Sequence, residues 1–282
     1  MSASFLRTAR EVWHATERTW IGVSTPPLTR RLEDAGWTPD GPDDCCPRCA
    51  RDTGPFEARR DGCPRCRDRR LPWSRAVRLG RYEGVLRDIV HDVKFTAWRS
   101  LGTAVGRELG RAVGEAIAAD PDTRGRAVIV VPVPTTLRRR LARGIDHTMI
   151  LARAVAGSLE RGRVAAWLRR THRPSQLAVP ASSRARNVAG SIRLKRGGAG
   201  LVAREAGAIF VLVDDVTTTG STLRAAAVPL AAAMRAAGHA AAEIAGPGGT
   251  EGDLDASGQR LWVATVAVTP ERRERGQNRE SR

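Results

Sequence analysis

The chain is predicted to be an α/β protein, a parallel twisted sheet flanked by helices and preceded by a small four-cysteine module. Three observations predict it. Short, continuous apolar runs rich in β-branched residues recur at 127–134, 208–213 and 261–268, as strands buried on both faces require. Helix-favouring segments separate these runs in the alternating order that builds parallel sheets. All five cysteines fall between residues 45 and 66, in a repeated pattern.

Residues 1–22 read as a helix with Leu6, Val12, Trp13 and Trp20 as apolar contacts, followed by a proline-rich loop through Pro26, Pro27, Pro39 and Pro42. Arg7, Arg10, Glu11, Glu17 and Arg18 interrupt the first twenty residues, so no signal-peptide core is present there. No run is long and apolar enough for a membrane span. A cytoplasmic protein without membrane insertion is expected.

The cysteines are Cys45, then Cys46-Pro47-Arg48-Cys49, then Cys63-Pro64-Arg65-Cys66, with 13 residues between the two C-P-R-C knuckles. Two such knuckles can bring four thiolates to the corners of a tetrahedron, which points to a structural zinc held by Cys46, Cys49, Cys63 and Cys66. A pair of disulfides is the rival, and a reducing cytoplasm disfavours it. Cys45 falls outside the repeat. A closed four-thiolate site leaves no position for water, so the metal would stabilise a fold and perform no chemistry.

Net charge is +17, from 47 basic and 30 acidic residues. A polyanionic partner would account for it, but all but two of the 47 are arginine, a bias that a GC-rich genome also produces. The basic residues are densest between Arg59 and Arg81. There Arg65, Arg67, Arg69 and Arg70 crowd beside Trp73, a combination suited to single-stranded DNA through phosphate contacts and base stacking. A small domain kept soluble by its charge is the plainer reading.

In "RYEGVLRDIVHDVKF", Val85, Leu86, Ile89, Val90 and Val93 recur at helical spacing, giving a helix over 82–95. A second helix, 101–119, stops before Asp120-Pro121. Lys94 ends the first, a compact ammonium in an arginine-rich chain and a candidate for pyrophosphate. The strand "AVIVVPVP" opens the core. It is followed by a turn with Arg143, a second anion-binding candidate, a helix over 147–159 and a strand over 164–168. His147 and His172 read as surface or capping residues. The polar stretch 169–194 suits a lid or binding loop.

The segment "VLVDDVTTTGSTL" carries the chemistry. Asp214 and Asp215 end an apolar strand, and Thr217, Thr218, Thr219, Gly220, Ser221 and Thr222 lead into a helix over 223–237. A helix amino terminus offers unpaired N–H groups to a phosphate, and a glycine lets the backbone approach it. Paired acids repel phosphate but accept from neighbouring sugar hydroxyls. A ribose 5-phosphate presents both. A P-loop is excluded, because Gly220 is followed by Ser221 and Thr222 with no lysine. Pro229 is expected to kink the helix. A glycine-rich insertion at 246–260 precedes the last strand, and a charged, disordered tail follows Pro270.

The segment resembles the signature of the type I phosphoribosyltransferases. Taken with the C-P-R-C knuckles, "YEGVLRDIVHDVKF", "VPVP", Arg143-Gly144, Gln176 and "RARN" at 184–187, the chain resembles the ComF-like competence family, which joins a four-cysteine zinc module to a phosphoribosyltransferase domain. The resemblance implies phosphoribosyl pyrophosphate and magnesium as ligands, with Asp214 and Asp215 on the ribose diol and Thr217 to Thr222 on the 5-phosphate. It also implies a role in DNA uptake beside competence-machinery proteins. A salvage phosphoribosyltransferase without a DNA role is the alternative, and no residue stands out as a catalytic base. The family's R-G-F-N-Q is here Arg143-Gly144-Ile145-Asp146-His147. The implied organisation is an extension (1–44), a zinc module (45–72), a phosphoribosyltransferase-like domain (73–270, hood 82–119, core 127–268) and the tail (271–282).

Overall fold

The computed structural model describes residues 27–41, 44–54, 57, 62–95, 99–135, 146–171, 190–245 and 260–270. The predicted 1–22 helix, Arg143, His172, Gln176, the 184–187 motif, the 246–260 insertion except Arg260, and the tail lie outside them. The chain divides into two compact units, Met1–Trp37 and Thr38–Arg282. In the first, helix α1 (Leu28–Asp34) closes with the Trp37 amide donating to the Leu32 carbonyl.

The second unit is built on a five-stranded parallel sheet. Its strands are β1 (Arg75–Arg81), β2 (Val128–Pro132), β3 (Gly162–Val164), β6 (Ile209–Thr217) and β7 (Leu261–Val268), in the spatial order β1-β7-β6-β2-β3. Every residue of β2 and β7 is buried, which is why both read as unbroken apolar runs. Ile129, Val131, Phe210, Leu212 and Val263 face one helical layer, built by α5 (Gly198–Arg204) and α6 (Ser221–Ala245). Intervening residues such as Val130 and Val211 turn to the other face, covered by α3 (Arg99–Ala118) and α4 (His147–Gly157). Helix α2 (Gly84–Phe95) packs beside α3 and against β1 and β7. The expected hood is thus part of a helical layer.

One strand goes beyond the sequence reading, and two expectations are corrected. Arg75–Arg81 forms the edge strand β1, in parallel register with β7, although its arginines give no strand signal. The Arg75 guanidinium lies over the Trp262 ring, and Arg78 is buried between carboxylates, so each charge finds a partner within the fold. The single strand expected at 164–168 is two pieces: β3 ends at Val164, and β4 (Leu168–Arg170) pairs antiparallel with β5 (Ile192–Leu194) in a separate ribbon. Helix α6 starts two residues earlier than expected and runs through Pro229 to Ala245.

The two helices on the α3 face come unusually close. A Cβ on Gly106 would lie 2.6 Å from Ala154 Cβ and 2.9 Å from the Leu151 carbonyl, so the contact depends on hydrogen at that position. Among the described residues no helix is long and apolar enough to cross a membrane.

Candidate functional site

The acid pair sits at the carboxyl end of β6, where open α/β sheets place their ligand sites. Successive strand residues point to opposite faces, and the two acids differ accordingly. Asp215 turns toward α2 and α4. Its Oδ2 lies 2.8 Å from His147 Nε2 at the start of α4 and 3.2 Å from Lys94 Nζ near the end of α2, while its Oδ1 accepts from the Val216 amide at 2.6 Å. Both carboxylate oxygens are therefore engaged within the protein. Burial works to raise the Asp215 pKa, but the His147 hydrogen bond and the Lys94 charge outweigh it and hold the group below the ordinary carboxylate range.

Asp214 turns to the other face, beside Thr265 of β7. Among the described residues its Oδ1 accepts only the adjacent Asp215 amide, at 2.9 Å. Burial, and then the negative charge of Asp215, push its pKa up to about 8. The pair thus divides into a braced carboxylate and a carboxyl group whose ionisation its surroundings oppose.

His147 was not singled out by the sequence, which reads it as a surface or capping residue. It is instead 3 % exposed, and Asp146 does the capping, its Oδ1 accepting from the Met149 amide. The available signal was its position: the first residue after an aspartate N-cap, on a helix whose apolar face must lie on the sheet. Lys94, the candidate for pyrophosphate, is paired here with Asp215.

The hydroxyl turn follows directly. Gly220 has φ +75°, a conformation side-chain-bearing residues rarely adopt, and its carbonyl accepts the first bond of α6 from the Arg224 amide. Thr219 Oγ1 lies 3.1 Å from Ser221 Oγ and accepts from the Ser221 amide at 3.4 Å. Thr218 and Thr219 are exposed. Thr217 Oγ1 is buried without a hydrogen-bond partner among the described residues. Hydroxyls and first-turn amides thus gather at the end of the strand that carries the acids.

The four cysteines of the two knuckles also come together. Their sulfurs lie within 4.8 Å of one another, with Cys46 to Cys66 at 3.5 Å, Cys49 to Cys63 at 3.8 Å and Cys63 to Cys66 at 3.8 Å. Four thiolates about 2.3 Å from a tetrahedral ion stand about 3.8 Å apart, so this cluster can hold a metal. Cys45 is outside it: it bridges to Asp52, and burial pushes its thiol up to about 11. The first knuckle's Arg48 donates to the Arg67 and Arg69 carbonyls, both at 3.2 Å, which staples the second knuckle's loop.

Arg78 fixes this module to the sheet. Its guanidinium reaches Asp40 Oδ2 at 2.6 Å, Asp52 Oδ1 at 2.7 Å and the Ala50 carbonyl at 2.9 Å. Of the candidate nucleic-acid residues, Arg65, Arg67, Arg69 and Arg70 are all exposed. Trp73 is not with them. It is 6 % exposed and its Nε1 donates to the Arg48 carbonyl at 2.9 Å, so its ring packs into the core and leaves little surface for a base.

Fold and site define an α/β protein with a parallel sheet, an acid pair and hydroxyl turn at one strand end, and a four-cysteine cluster packed beside them. No protein-family model matches the chain. Among curated proteins it is 30% identical over 187 residues to DNA utilization protein YhgH of Salmonella typhi, covering 63% of this chain and 74% of that protein. It is 31% identical over 170 residues to the Salmonella typhimurium protein of the same name, covering 57% and 67%. The Escherichia coli K12 protein of that name is 28% identical over 183 residues, covering 63% and 74%. The chain belongs to the family of these DNA utilization proteins.

Proposed function

We propose that the chain binds phosphoribosyl pyrophosphate with magnesium at the end of β6 and acts in the uptake or handling of single-stranded DNA, with zinc as the structural metal of its cysteine module. The observation that carries the ligand is the arrangement on β6. A carboxylate whose donors are few, a second carboxylate braced behind it, and a glycine turn rich in hydroxyls follow one another along one strand end. Asp214 would accept from the ribose diol while Asp215 holds its side of the strand fixed. Thr217, Thr218, Thr219, Gly220, Ser221 and Thr222 would surround the 5-phosphate, and Lys94 and Arg143 are assigned to the diphosphate.

Magnesium takes hard oxygen ligands and is commonly held by one or two carboxylates together with substrate phosphates. The donors at the end of β6 are of that kind. Zinc is favoured for the cysteine cluster because all four donors are sulfur and their separations suit a tetrahedron. Two things support the DNA role: the relatives' names, and the exposed Arg65, Arg67, Arg69 and Arg70 on the module. Competence-machinery proteins are the partners this role implies.

Calorimetry with phosphoribosyl pyrophosphate and magnesium tests the ligand. The parent protein is expected to bind and Asp214→Asn to bind at least tenfold more weakly, since the carboxyl can give up its proton to become a charged acceptor when the ligand and magnesium arrive and the amide cannot. Equal binding by both would remove Asp214 from the ribose.

A further inference from the structure

The hydroxyl turn and the cysteine module face each other across a cleft of about 460 Å³, within the range of ordinary ligand pockets. Thr217 to Gly220 and Arg224 form one wall, and Arg65 and Arg69 line the cleft on the module side. Arg224 Nη1 donates to the Arg70 carbonyl at 2.9 Å, which ties the first turn of α6 to the module. Thr265 also lines the cleft, and in the β6–β7 ladder it stands beside Asp214. The buried Thr217 hydroxyl, without a partner among the described residues, lies where cleft and turn meet.

Beside the groove, as the strand neighbour of its lining residue Thr265, stands the Asp214 carboxyl; along the groove follow a phosphate-sized turn and then arginines. A phosphoribosyl ligand uses the first two and leaves the arginines idle. One end of a nucleic-acid strand uses all three in sequence. At a 3′ terminus the free hydroxyl comes first, the 5′-phosphate of the same nucleotide second, and the phosphates of the preceding nucleotides after it. At a 5′ terminus the order fails, because the 3′ oxygen next to the carboxylate is esterified and has no proton to donate.

We propose that the cleft is a binding site for the 3′-hydroxyl end of a single nucleic-acid strand. The terminal hydroxyl donates to Asp214, the adjoining phosphate occupies the hydroxyl turn, and the strand leaves over the cysteine module past Arg65 and Arg69. This site rests on the phosphoribosyl reading of the turn and gives the two proposed ligands a shared pocket. A ribose terminus offers two hydroxyls to the carboxylate and a deoxyribose terminus one, so both sugars suit the site to different degrees.

Fluorescence anisotropy on the full chain decides it, using one labelled oligonucleotide sequence with a 3′-hydroxyl, a 3′-phosphate or a single 3′-terminal ribonucleotide, and a circular form as competitor. The 3′-hydroxyl strands are expected to bind at least tenfold more tightly than the blocked strand and to be displaced by ribose 5-phosphate. Asp214→Asn should erase the preference for the free end, and Arg65→Ala with Arg69→Ala should weaken binding of the free-ended strand. Equal affinity for open, blocked and circular strands would overturn the end site. Calorimetry with phosphoribosyl pyrophosphate run alongside separates the two readings. Binding there without any end preference sinks only this inference, whereas no binding there and no displacement by ribose 5-phosphate sinks the phosphoribosyl reading beneath it.

Discussion

His147 Nε2 donates to Asp215 Oδ2 across 2.8 Å, joining the first residue of α4 to the end of the central strand. Removing the donor leaves a buried carboxylate with Lys94 and one backbone amide. The cost expected for His147→Ala is about 1–3 kcal/mol at neutral pH. Because the folded-state pKa of Asp215 is depressed, its contribution is present above the unfolded value and lost as pH falls through the folded one. The alanine variant should therefore approach the parent's stability in acid. His147→Gln retains a donor and should recover much of the loss. Urea unfolding across pH measures all three, and an alanine variant with the parent's midpoint at pH 7 would show that the contact stabilises nothing.

Asp214 has the opposite sign. Its pKa is raised to about 8 in the folded chain by burial and by Asp215, so the folded state holds a proton that the unfolded chain releases near pH 4. Stability from this group is undiminished below about pH 4 and declines as pH rises through the window up to about 8. Asp214→Asn should flatten that decline and gain on the parent as pH approaches 8.5. Unfolding midpoints at pH 5, 7 and 8.5 check it; parallel curves for parent and variant would mean that Asp214 ionises normally.

The features legible in the sequence were those that one segment specifies alone. β6, the hydroxyl turn and the two knuckles each carry their signal in consecutive residues, and the structure forms them where the sequence places them. What escaped needed a partner from elsewhere in the chain. Arg78 reads as one more surface arginine until Asp40 and Asp52 are seen on either side of it. β1 is hidden for the same reason, since its arginines are neutralised by residues distant in sequence. His147 gives no sign of burial until α4 is laid against β6, and Trp73 looks like a stacking platform until its indole is found bonded to Arg48.

The glycines of α3 make a similar point, for their spacing matters only because α4 lies against them. Gly106→Ala would drive a methyl into Ala154 and the Leu151 backbone, neither of which can rotate away. Overpacking of this kind costs about 1–3 kcal/mol, which more than offsets the gain of up to about 1 kcal/mol in helix propensity. Gly114→Ala is the control: among the described residues its new Cβ would meet only the flexible end of Leu159, at 3.3 Å, and the propensity gain should then dominate. Thermal unfolding should rank the two variants on opposite sides of the parent.

Arg78→Met keeps the aliphatic stem but strands Asp40 and Asp52. Breaking such a pair by removing one partner costs about 3–5 kcal/mol when fully buried, and less here because both carboxylates are partly exposed. The loss should be local as well as global. Ala50, whose carbonyl Arg78 holds, directly follows Cys49, so protease cleavage between residues 50 and 62 should rise in the variant. Unchanged cleavage there would show that the module docks without this ion pair.

Metal analysis of cysteine variants tests the cluster itself. About one zinc per chain is expected, lost on Cys49→Ser and retained on Cys45→Ser, because Cys45 lies outside the four gathered sulfurs and burial keeps its thiol protonated up to about pH 11. Metal binding to such sites is folding free energy, so chelation should unfold the module first. The sheet, with its own buried core through Phe210, Leu212 and Leu230, should persist. Hydrogen exchange after chelation reads the difference: protection lost across residues 45–70 and kept in β6 and β7 is the expected pattern. Uniform loss across both regions would mean that the metal holds the sheet together as well as the knuckles. Zinc retained in Cys49→Ser and lost in Cys45→Ser would mean that the ligand set is wrong.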